Sequence, residues 1–315
     1  MTDALIDELA RELEQALGPD RVSRALSLAP LTTFKVGGTA DLFVEPRSAD
    51  EILVALRLAH EGHVPVTLLG GGSNVLVADA GVRGLVLRPR GGQVVREGPR
   101  RVRADAAVTI NGLVRWLIAH GLAGMEAWAG TPGTVGGGIY GNAHWAGRLI
   151  SDFVVEVRLA TPSGELRDEP VAAMEFGYDR SRLQRTGEVL LSAVFSVIDG
   201  EPDRLRETAR ASLAYRKRTQ PLASPSAGCI FQNPGPDVPL PEGVPPSAGA
   251  LVDRAGLKGT RIGGAQVSPT HGNFIVNTGD ASAADIRALV ERCRSTVRDR
   301  FGVDLVEEIV HLGHD

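Results

Sequence analysis

The ten residues Leu68-Leu69-Gly70-Gly71-Gly72-Ser73-Asn74-Val75-Leu76-Val77 carry more chemical information than any other stretch of this length. An apolar, β-rich run from Val64 to Leu69 stops at three glycines, passes through Ser73 and Asn74, and resumes as a second apolar run. With no side chain over the turn, successive N–H groups can form a concave nest within hydrogen-bond reach of a bulky anion. Ser73 and Asn74 add polar handles. The order suits a diphosphate cradle, and a plain glycine turn between strands is the competing reading. No Gly-Lys-Ser/Thr follows, which excludes a Walker loop. Val75-Leu76-Val77 reads as extended, not as the helix that a G-x-G-x-x-G fingerprint opens.

A second glycine cluster, WAGTPGTVGGGIYGNA at 128–143, changes the balance. Two such loops, both flanked by Ser, Thr or Asn, point to backbone packed along one extended phosphate ligand. Thr131-Pro132-Gly133-Thr134 supplies hydroxyls and a rigid turn. Trp128, Val135, Ile139 and Tyr140 argue against a flexible loop.

Further chemistry lies near the C-terminus. Residues 228–232 read as a short strand, on which Cys229, Phe231 and Asn233 share a face and offer a thiol, a ring and an amide. A small buried apolar Cys229 is the alternative. In 260–277, Gly263-Gly264 sit inside a strand pattern, the mark of a bulge or of close approach by ligand or backbone. Glu307-Glu308 interrupt an apolar strand read over 303–312. Neighbouring strand residues face opposite ways, so at most one faces a site. A carboxylate there is costly unless paired or functional, and an edge strand exposing both is the competing reading.

These residues need elements to position them. The pattern predicts strands over 40–46, 64–69 and 84–88 around a helix over 49–61, then a hairpin within 94–108 and a helix over 112–120. Strands follow near 153–160, 165–168 and 187–198. A helix runs over 202–218, and 220–248 is Pro-rich loop. Then come a helix near 248–255, strands near 262–267 and 273–277, and a helix over 284–301 with Ile286, Leu289, Val290, Cys293 and Val297 on one face. Cys293 is therefore a small core residue. The expected division is 1–89, 90–203, 204–303 and a C-terminal strand over 304–315 that returns to the site.

Composition bounds the class. The 315 residues are 43% hydrophobic and 23% charged, with net charge -4, ordinary values for a folded chain of more than one domain. Arg216-Lys217-Arg218 is too short for a nucleic-acid surface and suits an anionic small molecule or solvent. Two cysteines imply no disulfide framework and fit a reducing cytoplasm. The acidic, amphipathic N-terminus reads as a surface helix, neither signal peptide nor membrane span. The 7 histidines show no metal spacing, so no metal is expected.

In this order, TTFKVGGTADLFVEP (32–46), LLGGGSNVLV (68–77), AGTPGTVGGGIYGNA (129–143), EFGYDRSRLQ (175–184), GCIFQNP (228–234), LVDRAGLKGTRIGGAQVSPTHGNFIVN (251–277) and VEEIVHLG (306–313) resemble the UDP-N-acetylenolpyruvoylglucosamine reductase (MurB) family over nearly the whole chain. The branch resembled lacks an inserted tyrosine-bearing loop. The resemblance implies an α+β chain: a two-subdomain FAD-binding fold of the PCMH/vanillyl-alcohol-oxidase type plus an α+β substrate-binding domain. It implies non-covalent FAD, NADPH as co-substrate, and reduction of an enolpyruvyl ether of UDP-N-acetylglucosamine for cell-wall synthesis. It further implies a small-molecule partner without nucleic acid or membrane, a monomer, and a cytoplasmic location.

By position, Gly70, Gly71, Gly72, Ser73, Asn74, Thr131, Gly133, Thr134 and Gly137 would meet the FAD diphosphate. Tyr178 and Asn233 would line the substrate pocket, and Lys217 would meet phosphates or NADPH or else lie in solvent. Glu308, not Glu307, takes the catalytic glutamate position. Cys229 stands where most relatives have the proton-donating serine. The family's Tyr-Arg-x-Ser is here Tyr178-Asp179-Arg180-Ser181, so Asp179 occupies the arginine position, with Arg180 the first candidate to replace that charge and Arg182 the second. A flavin oxidase or dehydrogenase of the same fold, and a non-catalytic flavin or sugar-nucleotide binder, are the rival readings.

Overall fold

The computed structural model describes residues 2–313. Along the chain come α1 (Asp3–Leu17), β1 (Val22–Ser27), β2 (Thr39–Val44), α2 (Ala49–Glu61), β3 (Val66–Leu68), β4 (Val75–Val77), β5 (Val82–Leu87), β6 (Val94–Gly98), β7 (Arg101–Asp105), α3 (Ile110–Ala119), β8 (Leu122–Ala123), α4 (Val135–Tyr140), β9 (His144–Trp145) and β10 (Arg148–Leu149). They are followed by β11 (Val154–Ala160), β12 (Leu166–Pro170), α5 (Leu183–Thr186), β13 (Val189–Ser196), β14 (Ile198–Asp199), α6 (Pro202–Thr219), α7 (Ala248–Arg254), β15 (Arg261–Ile262), β16 (Ala265–Val267), β17 (Ile275–Asn277), α8 (Ala283–Phe301) and β18 (Val310–Leu312). The chain forms two compact units.

The first unit comprises the chain up to Leu26, Ala40–Gly71 and Arg83–Tyr215. One of its sheets has the order β1-β2-β5-β3, with β3 parallel to β5. Helices α1 and α2 lay Ile6, Leu9, Leu13, Ile52 and Leu56 into a core with Leu42, Val44, Leu85 and Leu87. The spacing 6, 9, 10, 13 is the stripe of an amphipathic helix, so the N-terminal helix covers a sheet with the face that reads apolar. Ser48 starts α2 by accepting from the Glu51 amide at 3.2 Å. A five-stranded antiparallel sheet of the same unit, in the order β12-β11-β13-β7-β6, packs a second core around Trp128, Phe153 and Phe195.

The second unit comprises Ser27–Thr39, Gly72–Val82 and the chain from Arg216 onward. Its core joins Phe34, Val36 and Leu76 to the buried faces of α7 and α8. Cys293 lies in that core, and burial pushes its thiol up to about 12. A parallel pair, β4 with β18, matches Val75–Val77 to Val310–Leu312. Asp79 joins the same unit to the start of α8, accepting from the amides of Ala283 (2.8 Å) and Ala284 (2.9 Å).

Several expectations are corrected. Residues 228–232 form no strand, and the Cys229–Phe231–Asn233 face does not exist. Ile230 and Phe231 are consecutive and both buried, while Asn233 is exposed and accepts from the Ala248 amide at 3.1 Å. The cause is Asn273, whose side chain takes both polar groups of Phe231: its carbonyl accepts from the Phe231 amide (2.9 Å) and its NH2 donates to the Phe231 carbonyl (2.7 Å). A side-chain amide thus satisfies the backbone where a neighbouring strand would. The final strand is confined to Val310–Leu312, with only a bridge from Glu307 to Phe231 before it. Gly263-Gly264 form the two-residue turn of the β15–β16 hairpin and not a strand interior. The expected close approach of backbone holds, since a Cβ on Gly264 would meet the Ala281 amide nitrogen and one on Gly263 the Asp285 carboxylate. The second glycine cluster holds a helix, α4, which no periodicity announces.

Replacing Asp79 with alanine leaves two helix-start amides of α8 without their acceptor. The expected cost is about 1 kcal/mol, read as a lower urea midpoint at unchanged slope.

Candidate functional site

In the first unit the two glycine loops meet backbone to backbone. A Cβ on Gly71 would lie 2.7 Å from the Gly133 Cα, and one on Gly70 would lie 2.9 Å from the Thr134 hydroxyl oxygen. Only glycine allows this approach. Thr134 caps α4 by accepting from the Gly137 amide at 3.2 Å. Gly138 sets α4 close to Ile110 and Ile150, each 3.0 Å from where a Cβ would stand. The amides of Val135 and Gly136 are taken by Val108 and Ala106 carbonyls. Those of Gly70 and Gly71 donate to no protein acceptor among the described residues. Half-buried amides without partners, beside a groove that a Cβ would fill, fit a bound diphosphate. Thr131 is buried, its amide donating to the Trp128 carbonyl.

The same unit holds the Tyr178–Ser181 segment as a tight turn. Gly177 and Arg180 exchange backbone hydrogen bonds (2.9 and 3.2 Å) around Tyr178-Asp179, and Asp179 takes φ +51°. Asn142 donates to the Gly177 carbonyl (2.8 Å), Gln184 to the Asp179 carbonyl (2.9 Å) and the Ser181 hydroxyl to the Tyr140 carbonyl (2.7 Å). Arg182 is held by Glu188, Glu169 and the Ala173 carbonyl in a half-buried network. Arg180 is exposed, its guanidinium lying over Gly177. Tyr178 is exposed on one side and stacks on His144 on the other, with centroids 5.0 Å apart.

In the second unit, Gly72 takes φ +64° against Leu31 and Thr32, and Ser73 is half-buried. Asn74 uses its side-chain amide to donate to the Glu308 carbonyl at 3.1 Å. The Glu308 amide in turn donates to the Ile230 carbonyl at 2.8 Å, which sets Glu308 beside the residue that follows Cys229. Glu307 points to other partners. His311 lies at 2.7 Å and Arg294 at 3.5 Å, and the His311 hydrogen bond leads in holding the Glu307 carboxyl below the usual range, against the effect of burial. Lys217 is exposed on α6.

The sequence does not single out two further residues as site residues, although Arg216 lies within the short basic cluster. Arg216 is 5% exposed; burial lowers its guanidinium to about 10, and the charge of a Cys229 thiolate opposes the shift. Its signal was available, because Leu205, Ala209, Ser212 and Arg216 repeat at helical spacing on the covered side of α6. His144 had no such signal, since its partner Asp179 is 35 residues away.

The comparisons with known proteins give the family. A model of FAD-binding domains matches residues 40–168, and a model of the UDP-N-acetylenolpyruvoylglucosamine reductase C-terminal domain matches 220–312. The Bacillus subtilis protein named as that reductase is 36% identical over 305 residues, 95% of this chain and 97% of its own. The one from Synechococcus sp. (strain JA-3-3Ab) is 41% identical over 298 residues, 93% and 92% of the two chains. The crystal structure of the Thermus caldophilus reductase superposes with TM-score 0.77 at 31% identity, covering 93% of this chain and 99% of that one.

Fold and site define a flavoprotein, an α+β FAD-binding chain with an added α+β domain. The particular set of matches goes further. The chain belongs to the UDP-N-acetylenolpyruvoylglucosamine reductase family.

Two outcomes are expected. Gly71→Ala should fold, by circular dichroism, yet purify with most of its visible flavin absorbance lost, whereas Gly98→Ala, where a Cβ meets nothing within 4 Å, should keep it. Glu307 has a folded value below its unfolded one, so its stabilisation is present above the usual carboxylate range and disappears as pH falls through the lowered value. Glu307→Gln should therefore flatten the acid side of a stability-against-pH curve.

Proposed function

We propose that this chain reduces the enolpyruvyl ether of UDP-N-acetylglucosamine to UDP-N-acetylmuramate with NADPH as electron donor, a step in peptidoglycan precursor synthesis. Bound FAD supplies hydride transfer from NADPH to the substrate. Gly70, Gly71, Thr131, Gly133, Thr134 and Gly137 are the proposed diphosphate contacts of the first unit, and Gly72 and Ser73 those of the second. Tyr178 and Asn233 are proposed substrate contacts, and exposed Lys217 a proposed phosphate or NADPH contact.

The observation that carries the reading is the hydrogen bond from the Glu308 amide to the Ile230 carbonyl. It sets the two carried-over catalytic positions, Cys229 and Glu308, on adjoining backbone. Reduction adds hydride to the methylene carbon of the enolpyruvyl group, and the displaced electron pair moves toward its carboxylate. A proton must then reach the ether-bearing carbon. Cys229 is the proposed donor of that proton. Arg216, whose guanidinium is influenced by charge at Cys229, is the proposed stabiliser of the thiolate that remains. Asn74 fixes the Glu308 backbone and so the direction from which that carboxylate enters.

No helix among the described residues is long and apolar enough to cross a membrane. The cytoplasm, where NADPH and sugar nucleotides are held, is the proposed location, and a monomer the proposed state.

The test is an anaerobic flavin spectrum of the purified protein, taken alone, after NADPH and after the enolpyruvyl sugar nucleotide. Bleaching followed by prompt recovery is expected, and bleaching without recovery would refute the substrate assignment. Cys229→Ala should bleach normally and recover about 100-fold more slowly. Recovery near the wild-type rate would remove Cys229 from the proton-donor role.

A further inference from the structure

Cys229 belongs to no helix or strand, so its direction depends on the hydrogen bonds of the residues that follow it. Most of these go to Asn273. The Ile230 amide donates to the Asn273 carbonyl (2.9 Å), the Phe231 amide to the Asn273 side-chain oxygen (2.9 Å), and the Asn273 NH2 to the Phe231 carbonyl (2.7 Å). The Ile230 carbonyl is left, and it accepts from the Glu308 amide (2.8 Å). Both carried-over catalytic positions therefore adjoin backbone that Asn273 holds. Asn273 is only 3% exposed, so a group it released would find little water in exchange.

One polar group of Asn273 remains, its own amide, and it donates to Nδ1 of His271 at 3.2 Å. An imidazole accepts at Nδ1 only when it is neutral and carries its proton on Nε2. Burial first, and then the charge of Lys258, lower the His271 imidazole below its usual range and keep it neutral. Lys258 is itself held by Asp253 of α7 at 2.6 Å, and Arg254 of α7 donates to the Gly243 carbonyl at 2.8 Å.

The ring is seated firmly. It packs edge-on against Phe274, with centroids 4.8 Å apart. Across from it is Gly249 of α7, where a Cβ would lie 3.2 Å from His271 Cε1 and 3.5 Å from Asn273 Cβ. The buried Ser268 hydroxyl accepts from the Thr270 amide (3.1 Å), and the Phe274 amide donates to the His271 carbonyl (3.0 Å). The same helix meets the far end of the Cys229 segment, since Asn233 accepts from the Ala248 amide.

We propose that His271 and Asn273 form a positioning relay for proton delivery: the imidazole fixes Asn273, and Asn273 fixes the backbone that aims the Cys229 thiol at the ether-bearing carbon. This inference rests on the function proposed above. Both are positioning residues, acting through Cys229. Their placement matters because a catalytic group must be held within about 0.5 Å of its productive geometry.

The experiment uses the flavin-loaded protein and its variants His271→Ala, His271→Asn and Asn273→Asp, each made also in the Cys229→Ala background. Asparagine at 271 places an oxygen acceptor where Nδ1 stands, and aspartate at 273 keeps the acceptor for the Phe231 amide but loses the donor to its carbonyl. Each protein is bleached with NADPH, and reoxidation by the enolpyruvyl sugar nucleotide is followed in a single turnover. His271→Ala should slow reoxidation about 10-fold and Asn273→Asp about 30-fold, with His271→Asn within about threefold of wild type and bleaching within about twofold throughout. In the Cys229→Ala background the same changes should cost less than about twofold, because the group they position is gone. His271 lies outside the Phe231 clamp, so its two variants carry the test if Asn273→Asp fails to fold. Undiminished slowing without Cys229, equal loss in His271→Ala and His271→Asn, or bleaching that slows in step with reoxidation would overturn the proposal. A wild-type flavin that the substrate does not reoxidise would refute the function beneath it; a competent wild type with a competent His271→Ala refutes this inference alone.

Discussion

The flavin-binding unit depends on two backbones coming closer than any side chain permits. With 2.7 Å between the Gly133 Cα and the place of a Gly71 Cβ, even one methyl group would force the loops apart. Their contact leaves the half-buried amides of Gly70 and Gly71 without a backbone acceptor among the described residues, and donors so placed are a ready anion site. Thr134 serves the arrangement twice, touching the Gly70 position and capping α4. Changing either loop therefore alters the other, although neither neighbours the other in sequence.

The second unit solves a different problem, that of holding a thiol and a carboxylate on irregular backbone. Strands would have been the simple means, yet between Cys229 and Glu308 there is one bridge and a few hydrogen bonds. Asn273 substitutes for a strand by bonding both polar groups of Phe231, and Asn74 substitutes for another by holding the Glu308 carbonyl. Irregular backbone stays ordered when buried side-chain amides complete its hydrogen bonds. The adjacent carboxylates then diverge: Glu307 is drawn into a pair with His311 and Arg294, while Glu308 follows the Ile230 contact.

Position 179 holds a carboxylate in a turn whose frame does not depend on that side chain. The turn hydrogen bonds run through backbone and through Asn142, Ser181 and Gln184, none of which depends on the residue at 179. A carboxylate can therefore stand there if a partner is supplied, and His144 is supplied from the hairpin that Asn142 ties to the turn.

Much of this was legible in order and pattern. The helix over 49–61, the α8 stripe, Cys293 in the core and extended backbone at 75–77 all follow from local periodicity, because apolar spacing reports which face is covered. The paired glycine loops, the order of motifs and so the family are likewise properties of the chain alone. What the sequence could not determine is where long-range hydrogen bonds replace regular structure. The run 228–232 looks like a strand, and only Asn273, more than forty residues on, makes it something else. Helix α4 is rich in glycine, a poor helix former, and exists because Thr134 caps it and Ile110 and Ile150 receive it. Arg182 looks like a replacement cation until Glu169 and Glu188 are seen to hold it, and Asp179 looks like a lost charge until His144 is seen beside it. Local pattern is set by neighbours along the chain. The partner of a buried charge is set by packing, and that is decided only in three dimensions.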